Sequence, residues 1–227
     1  GDLLKESATI KGDLDSNNKV GELVEKFKNA KTEVEKASIA EEIKKQAPEA
    51  VQATGSIINE EGKLINTYSI TTSKIKESKE AQKNRLDGDM QAKQQAFVDS
   101  ILSEKDAYLA NIAQMAKLKI ERDKLASQGL DTSKIDAQIN DLGAKNQAFL
   151  TDVTKNIMKY EEKGLDTTGV YEKMAKSLGK SPAEVKKLVE AQKKSIGKQQ
   201  ELNKEAAKLG DYFNNAANAA SSKFNDA

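Results

Sequence analysis

The residue types that perform most protein chemistry are missing or scattered in this chain. It has no cysteine, no histidine and no tryptophan among 227 residues. That removes thiolate nucleophiles, Cys/His zinc sites and histidine acid–base catalysis together. Carboxylates are abundant, but pairs such as Asp87 with Asp89 and Glu161 with Glu162 sit among polar neighbours. Without apolar surroundings to raise a pKa, or a partner base, they read as solvated faces. Asp13, Asp15 and Asn17 alternate as calcium-loop ligands do. A calcium loop also needs glycine at its sixth position and glutamate at its twelfth, where this chain has Asn18 and Val24. A polar turn capping the following helix is the better reading. The sequence therefore assigns no catalytic, cofactor-binding or metal-binding residue, requires no cofactor, and points away from an enzyme.

Two further spacings bear on function. From Met174 to Leu188, Ala175, Gly179 and Val185 fall where DNA-binding helix-turn-helix units place alanine, turn glycine and buried valine. Lys186, Lys187 and Ser181 would face the groove, but Lys180 takes a usually apolar position and Glu184 and Glu190 oppose a phosphate backbone. The segment Ile57 to Ile65 is too short and polar to serve as a membrane-inserting tongue.

Composition describes the scaffold. Charged residues make up 32%, aromatics 4%, and there are two prolines. Such a chain forms long helices in thin layers rather than one thick core. The 37 basic and 36 acidic residues are interspersed, so nucleic acid is not an expected partner. Mean hydropathy is −0.70 and no apolar run nears the roughly 20 residues that span a bilayer, so a membrane is not expected either. No signal-peptide pattern opens the chain, and its start at Gly1 rather than methionine reads as an engineered start, a processed product or a piece of something longer.

Periodicity gives the elements. A short helix is expected over Leu3–Leu14, then a turn at Asp15-Ser16-Asn17-Asn18. One helix then runs from Val20 to Gln46 on Val20, Leu23, Phe27, Val34, Ala37, Ala40, Ile43 and Ala47, and Pro48 ends it. Thr54–Tyr68 is a non-helical island, a small loop or hairpin around Asn59-Glu60-Glu61-Gly62. A helix of about 55 residues, or ~80 Å, follows from Thr71 to Ser127, with a kink or break expected at Asp87-Gly88-Asp89. Its polar start, Ser73–Asn84, reads as a solvated arm or a partner-facing surface. Its stripe is Leu86, Met90, Phe97, Ile101, Tyr108, Ile112, Met115, Leu118 and Leu125.

An internal repeat marks the corners. Gly129-Leu130-Asp131-Thr132-Ser133 recurs 35 residues on as Gly164-Leu165-Asp166-Thr167-Thr168. Glycine ends one helix in left-handed geometry and aspartate caps the next. The leucine between them is expected to staple onto Ile135 or Val170. Gly179 with Ser181-Pro182-Ala183-Glu184 makes a third corner. Ile135, Ile139, Leu142, Phe149, Val153, Ile157 and Tyr160 form the intervening stripe, and Val185, Val189, Gln192, Ile196, Leu202 and Leu209 the last. Asp211–Ala227 reads as a frayed helix or linker.

The fold class expected is all-α: elongated antiparallel helical hairpins in a coiled-coil-like bundle, with one small loop or β-hairpin. The segments are 1–68 with the loop, a long hairpin over 69–163, a corner module over 164–210, and a tail over 211–227.

Leu3-Leu4-Lys5, the charged helix, Glu42-Ile43-Lys44-Lys45-Gln46-Ala47-Pro48-Glu49-Ala50-Val51 and the loop Asn59-Glu60-Glu61-Gly62-Lys63-Leu64-Ile65 together resemble the tape measure proteins of bacteriophage and phage-like tails. The likeness covers about Leu3 to Thr72. It implies a fragment of a helical filament that sets tail length inside the tail tube. It also implies tail-tube or self partners in an oligomer, and a place in a virion or phage-like tail particle assembled in the bacterial cytoplasm. A helical adaptor or secreted coiled-coil protein, and a DNA-binding corner at 174–188, are the other readings.

Overall fold

A computed structural model describes residues 2–225. Among them are seven α-helices and one two-stranded antiparallel hairpin, so the chain is all-α with a small β element. The order is α1 (Asp2–Asn29), α2 (Glu33–Gln46), a single 3-10 turn (Pro48–Ala50), β1 (Val51–Ile58), β2 (Leu64–Ile70), α3 (Thr72–Ile101), α4 (Lys105–Ser127), α5 (Ser133–Glu162), α6 (Thr168–Leu178) and α7 (Pro182–Asn225). The chain divides into two compact units, residues 1–97 with 162–166, and residues 98–161 with 167–227. This division cuts within α3 and is distinct from the segment boundaries at 68/69, 163/164 and 210/211.

In the first unit, α1 runs unbroken through Asp15–Asn18, where the sequence suggests a turn. The reason is tertiary. Asn17 is buried and its side-chain amide donates to the Lys79 carbonyl at 2.9 Å, so its polarity is used inside the unit rather than in a turn. The expected single helix over Val20–Gln46 is instead split at residues 30–32. Thr32 caps α2, its hydroxyl accepting from the Glu35 N–H at 3.1 Å, while the Glu35 carboxylate accepts from the Lys31 N–H at 3.2 Å. Thr32-x-x-Glu35 is a capping-box signature in plain sequence view.

The core joins Val20 and Val24 of α1, Ala40 and Ile43 of α2, Ala50, Val51 and Ile75, with Phe27, Tyr68 and Ile70 packed against it. One face of the hairpin therefore rests on the helices. Its turn is held by Asn59, whose side-chain oxygen accepts from the Glu61 and Lys63 N–H groups, with Gly62 at φ 79°. A bulge between Ala53 and Gly55 shifts the register. The polar start of α3 is not a free arm. Ile75 is buried, and Gln82 donates to the Gln46 carbonyl at 2.8 Å. Lys93 pairs with Glu6 while Lys79 meets Asn17, so α3 returns antiparallel to α1.

In the second unit, α4 and α5 form an antiparallel helical hairpin. Tyr108 stacks on Phe149 with ring centres 4.7 Å apart, Asn111 donates to Asn146 at 3.0 Å, Met115 lies over Gly143, and Arg122 pairs with Asp136. As the first partner of each pair advances along the chain, the second retreats. The break in the expected 55-residue helix falls at residues 102–104, not at Asp87-Gly88-Asp89, which is helical throughout. Buried Leu102 sets that turn, and its N–H still reaches the Val98 carbonyl at 2.9 Å.

The three glycine corners are present, with Gly129, Gly164 and Gly179 at φ 70°, 72° and 68°. Leu130 and Gly129 donate back to Leu125 and Ala126, which closes α4 as a Schellman motif. The staple at this corner is absent because Leu130 is 54% exposed, whereas its repeat counterpart Leu165 is 6% exposed. At the second corner α6 begins after Thr167, whose side chain makes no capping hydrogen bond.

Candidate functional site

The alternating Asp13, Asp15 and Asn17 lie within α1, where residues two apart point in widely different directions and cannot converge on an ion. Among the described residues no group of three or more Asp, Glu, His or Cys is placed to hold a metal. Asp87 and Asp89 lie on α3, and Asp89 meets Arg85 at 3.5 Å, one helical turn away.

Glu161 has a defined partner. Lys193 Nζ donates to both of its oxygens at 2.7 and 2.9 Å, and lies 3.4 Å from Glu190. Partial burial pulls the Lys193 ammonium down, but the Glu161 hydrogen bond, Tyr171 and the two carboxylates outweigh this and hold it above its ordinary value. Burial likewise pushes the Tyr171 hydroxyl up. The paired hydrogen bonds from Lys193 to Glu161 tie α7 to α5. Gln147 donates to Gln192 at 2.7 Å, while Lys193, the next residue, reaches Glu161 fourteen positions along α5.

The seam of the α4–α5 hairpin carries a polar pair, buried Asn146 and half-buried Asn111, that the apolar stripe omits. Asn146 fills the gap between Leu142 and Phe149, accepts from Asn111 and donates to the Tyr108 carbonyl at 3.4 Å. Ile112, expected on the seam, is 41% exposed because Asn111 takes that position. A cleft of about 460 Å³ opens beside this pair, between Ser100, Ser103 and Glu104 on one side and Asp152 and Asn156 on the other.

The corner between α6 and α7 is a compact helix-turn-helix. Met174, Ala175, Leu178 and Val185 are buried, Leu188 is half-buried, and Ser181, Lys186 and Lys187 face outward. Ser181 accepts from the Glu184 N–H at 3.2 Å, as the capping box requires. Glu184 and Glu190 share the outward side with the lysines.

A long unpartnered surface lies further along. Beyond Gly197, α7 continues with every residue from 198 to 224 exposed. Of the segment read as a frayed helix or linker, residues 211–225 are helix, and 226–227 lie outside the described residues. This part of α7 is also amphipathic, since Leu202, Ala206, Leu209, Phe213, Ala216 and Ala220 step by four and three residues along one face. Leu202 is 59% exposed, Leu209 58% and Phe213 64%.

No family model, curated protein or solved structure matches this chain. What the arrangement can do must be read from its surfaces. None of the helices among the described residues is long and apolar enough to cross a membrane. What α7 offers is an apolar stripe flanked by charge, a shape suited to pairing with another helix.

Proposed function

We propose that this chain is a structural helical element of a tail tape measure in a phage-like particle, acting through packing surfaces rather than chemistry. The observation that carries the reading is the run 198–224 of α7, a helix that presents Leu202, Leu209 and Phe213 along one face with no described residue covering them. A contiguous apolar helical face of this kind marks an interaction site. The glycine corners are in keeping with a helical packing element, because they join successive helices at short turns. The likeness of residues 3–72 to tape measure proteins names the assembly. In this role the partners are the tail tube and further copies of the chain, and the site of action is the tail particle built in the bacterial cytoplasm.

Mass spectrometry of purified tail particles from the organism carrying this gene tests the proposal. Peptides spanning residues 3–72 and 198–224 are expected at a fixed ratio to the tube subunit. Their absence from intact particles would overturn it.

A further inference from the structure

We infer that the exposed half of α7 pairs with the same segment of a second copy of this chain, and that the two helices run antiparallel. This goes beyond the proposed function and holds whether or not the chain belongs to a tail. The stripe from Leu202 to Ala220 alternates steps of four and three, the spacing of the inner positions of a two-helix coiled coil. Large and small residues are distributed unevenly along it, and that distribution decides both partner and direction.

In a parallel pair in register, Phe213 would face Phe213 while Ala216 faced Ala216 and Ala220 faced Ala220. The phenyl layer would hold the helices apart and leave the alanine layers as voids, which is unfavourable packing. In an antiparallel pair each inner position of one type meets the other type. Phe213 then faces Ala216 of the second copy and Leu209 faces Ala220, and the two-fold axis repeats both contacts. Every one of these four layers joins a large side chain to a small one, so the helices approach evenly. The next layer outward sets Ala206 against Lys223 of the second copy. The lysine stem lies across the alanine methyl, and its ammonium comes beside Glu205 on the same helix as that alanine. The two-fold axis duplicates this charge pair as well. Tyr212, on the flank, comes beside Ala219 by the same register. An unrelated partner has no reason to reproduce a pattern that is complementary to itself under reversal.

The full chain tests this directly by sedimentation equilibrium. A reversible dimer of twice the 24.8 kDa chain mass is expected. Phe213→Asp should return it to monomer, weakening association at least tenfold, while the buried cores stay folded because Phe213 lies outside them. Glu205→Lys should weaken the dimer, and Glu205→Lys combined with Lys223→Glu should restore it. Direction is read from spin labels, since the chain has no natural cysteine. With Lys204→Cys the paired labels should lie about 30 Å apart along the axis, and with Asn214→Cys nearly level, from the 1.5 Å rise per residue. A monomeric parent chain, a dimer that survives Phe213→Asp, or equal short distances at both labels would each overturn the inference.

Discussion

At the scale of single residues, the side chains that matter hold helix ends and seams. The Asp131 carboxylate accepts from the Ser133 hydroxyl at 2.5 Å and from its N–H at 3.0 Å. Those bonds, the hydroxyl's first, hold its carboxyl below the ordinary value of 3.8. A lowered carboxylate pKa gives stability that is present above the unfolded value and lost as pH falls through the folded one. Protection of the first α5 amides against hydrogen exchange should therefore fall on acidification below about pH 4. Asp131→Asn should remove that pH dependence while keeping the cap, and protection unaltered by pH in the parent would refute the assignment. Lys193 works at the other end of the scale. Its raised pKa gives stability that is full below 10.5 and lost as pH rises through the folded value. The Asn111–Asn146 pair makes a sharper prediction. Asn146→Leu alone strands Asn111 at the seam and should cost about 1–3 kcal/mol in denaturant melts, whereas Asn111→Leu with Asn146→Leu should be near neutral. Additive losses would show that the pair is not coupled.

Among the elements, legibility follows the physics of each signal. The corners are readable because a left-handed residue and a cap are local requirements, met by Gly129, Gly164, Gly179 and Ser181 within a few positions. The hairpin is readable from the turn at Asn59–Gly62, although its strands extend to Val51 and Ile70. What fails depends on distant residues. Asp15–Asn18 has the composition of a turn, and only the contact of Asn17 with Lys79 keeps it helical. The turn at residues 102–104 has neither glycine nor proline to announce it. Asn111 and Asn146 are invisible to an apolar stripe because their polarity is satisfied across the seam rather than locally. Of the candidate surface, Leu202 and Leu209 are legible as a continuing stripe. Nothing local to them shows whether the stripe is covered. Two glycines separate these cases experimentally. Gly88 lies inside α3 with no atom within 4 Å of the place an added methyl would take, so Gly88→Ala should stabilise by up to about 1 kcal/mol. Gly129 is equally uncrowded but left-handed, so Gly129→Ala should destabilise by about 1–2 kcal/mol. Thermal melts with the same sign for both would contradict the assigned helix and corner.

For the molecule as a whole, the proposed role is assembly and not the reading of nucleic acid. The corner at 174–188 has the geometry of a helix-turn-helix, but Glu184 and Glu190 stand among its lysines. Retention on duplex DNA should accordingly show no steep loss with rising salt, and a steep slope would revive that reading. The proposed tape measure role requires that helical length in this chain becomes length in a particle. Inserting or deleting whole turns within α7 in the native gene, and measuring tails by electron microscopy, tests it most directly. Tail length should change in proportion, by about 1.5 Å for each residue of helix added or removed. Intact tails of unchanged length would contradict it.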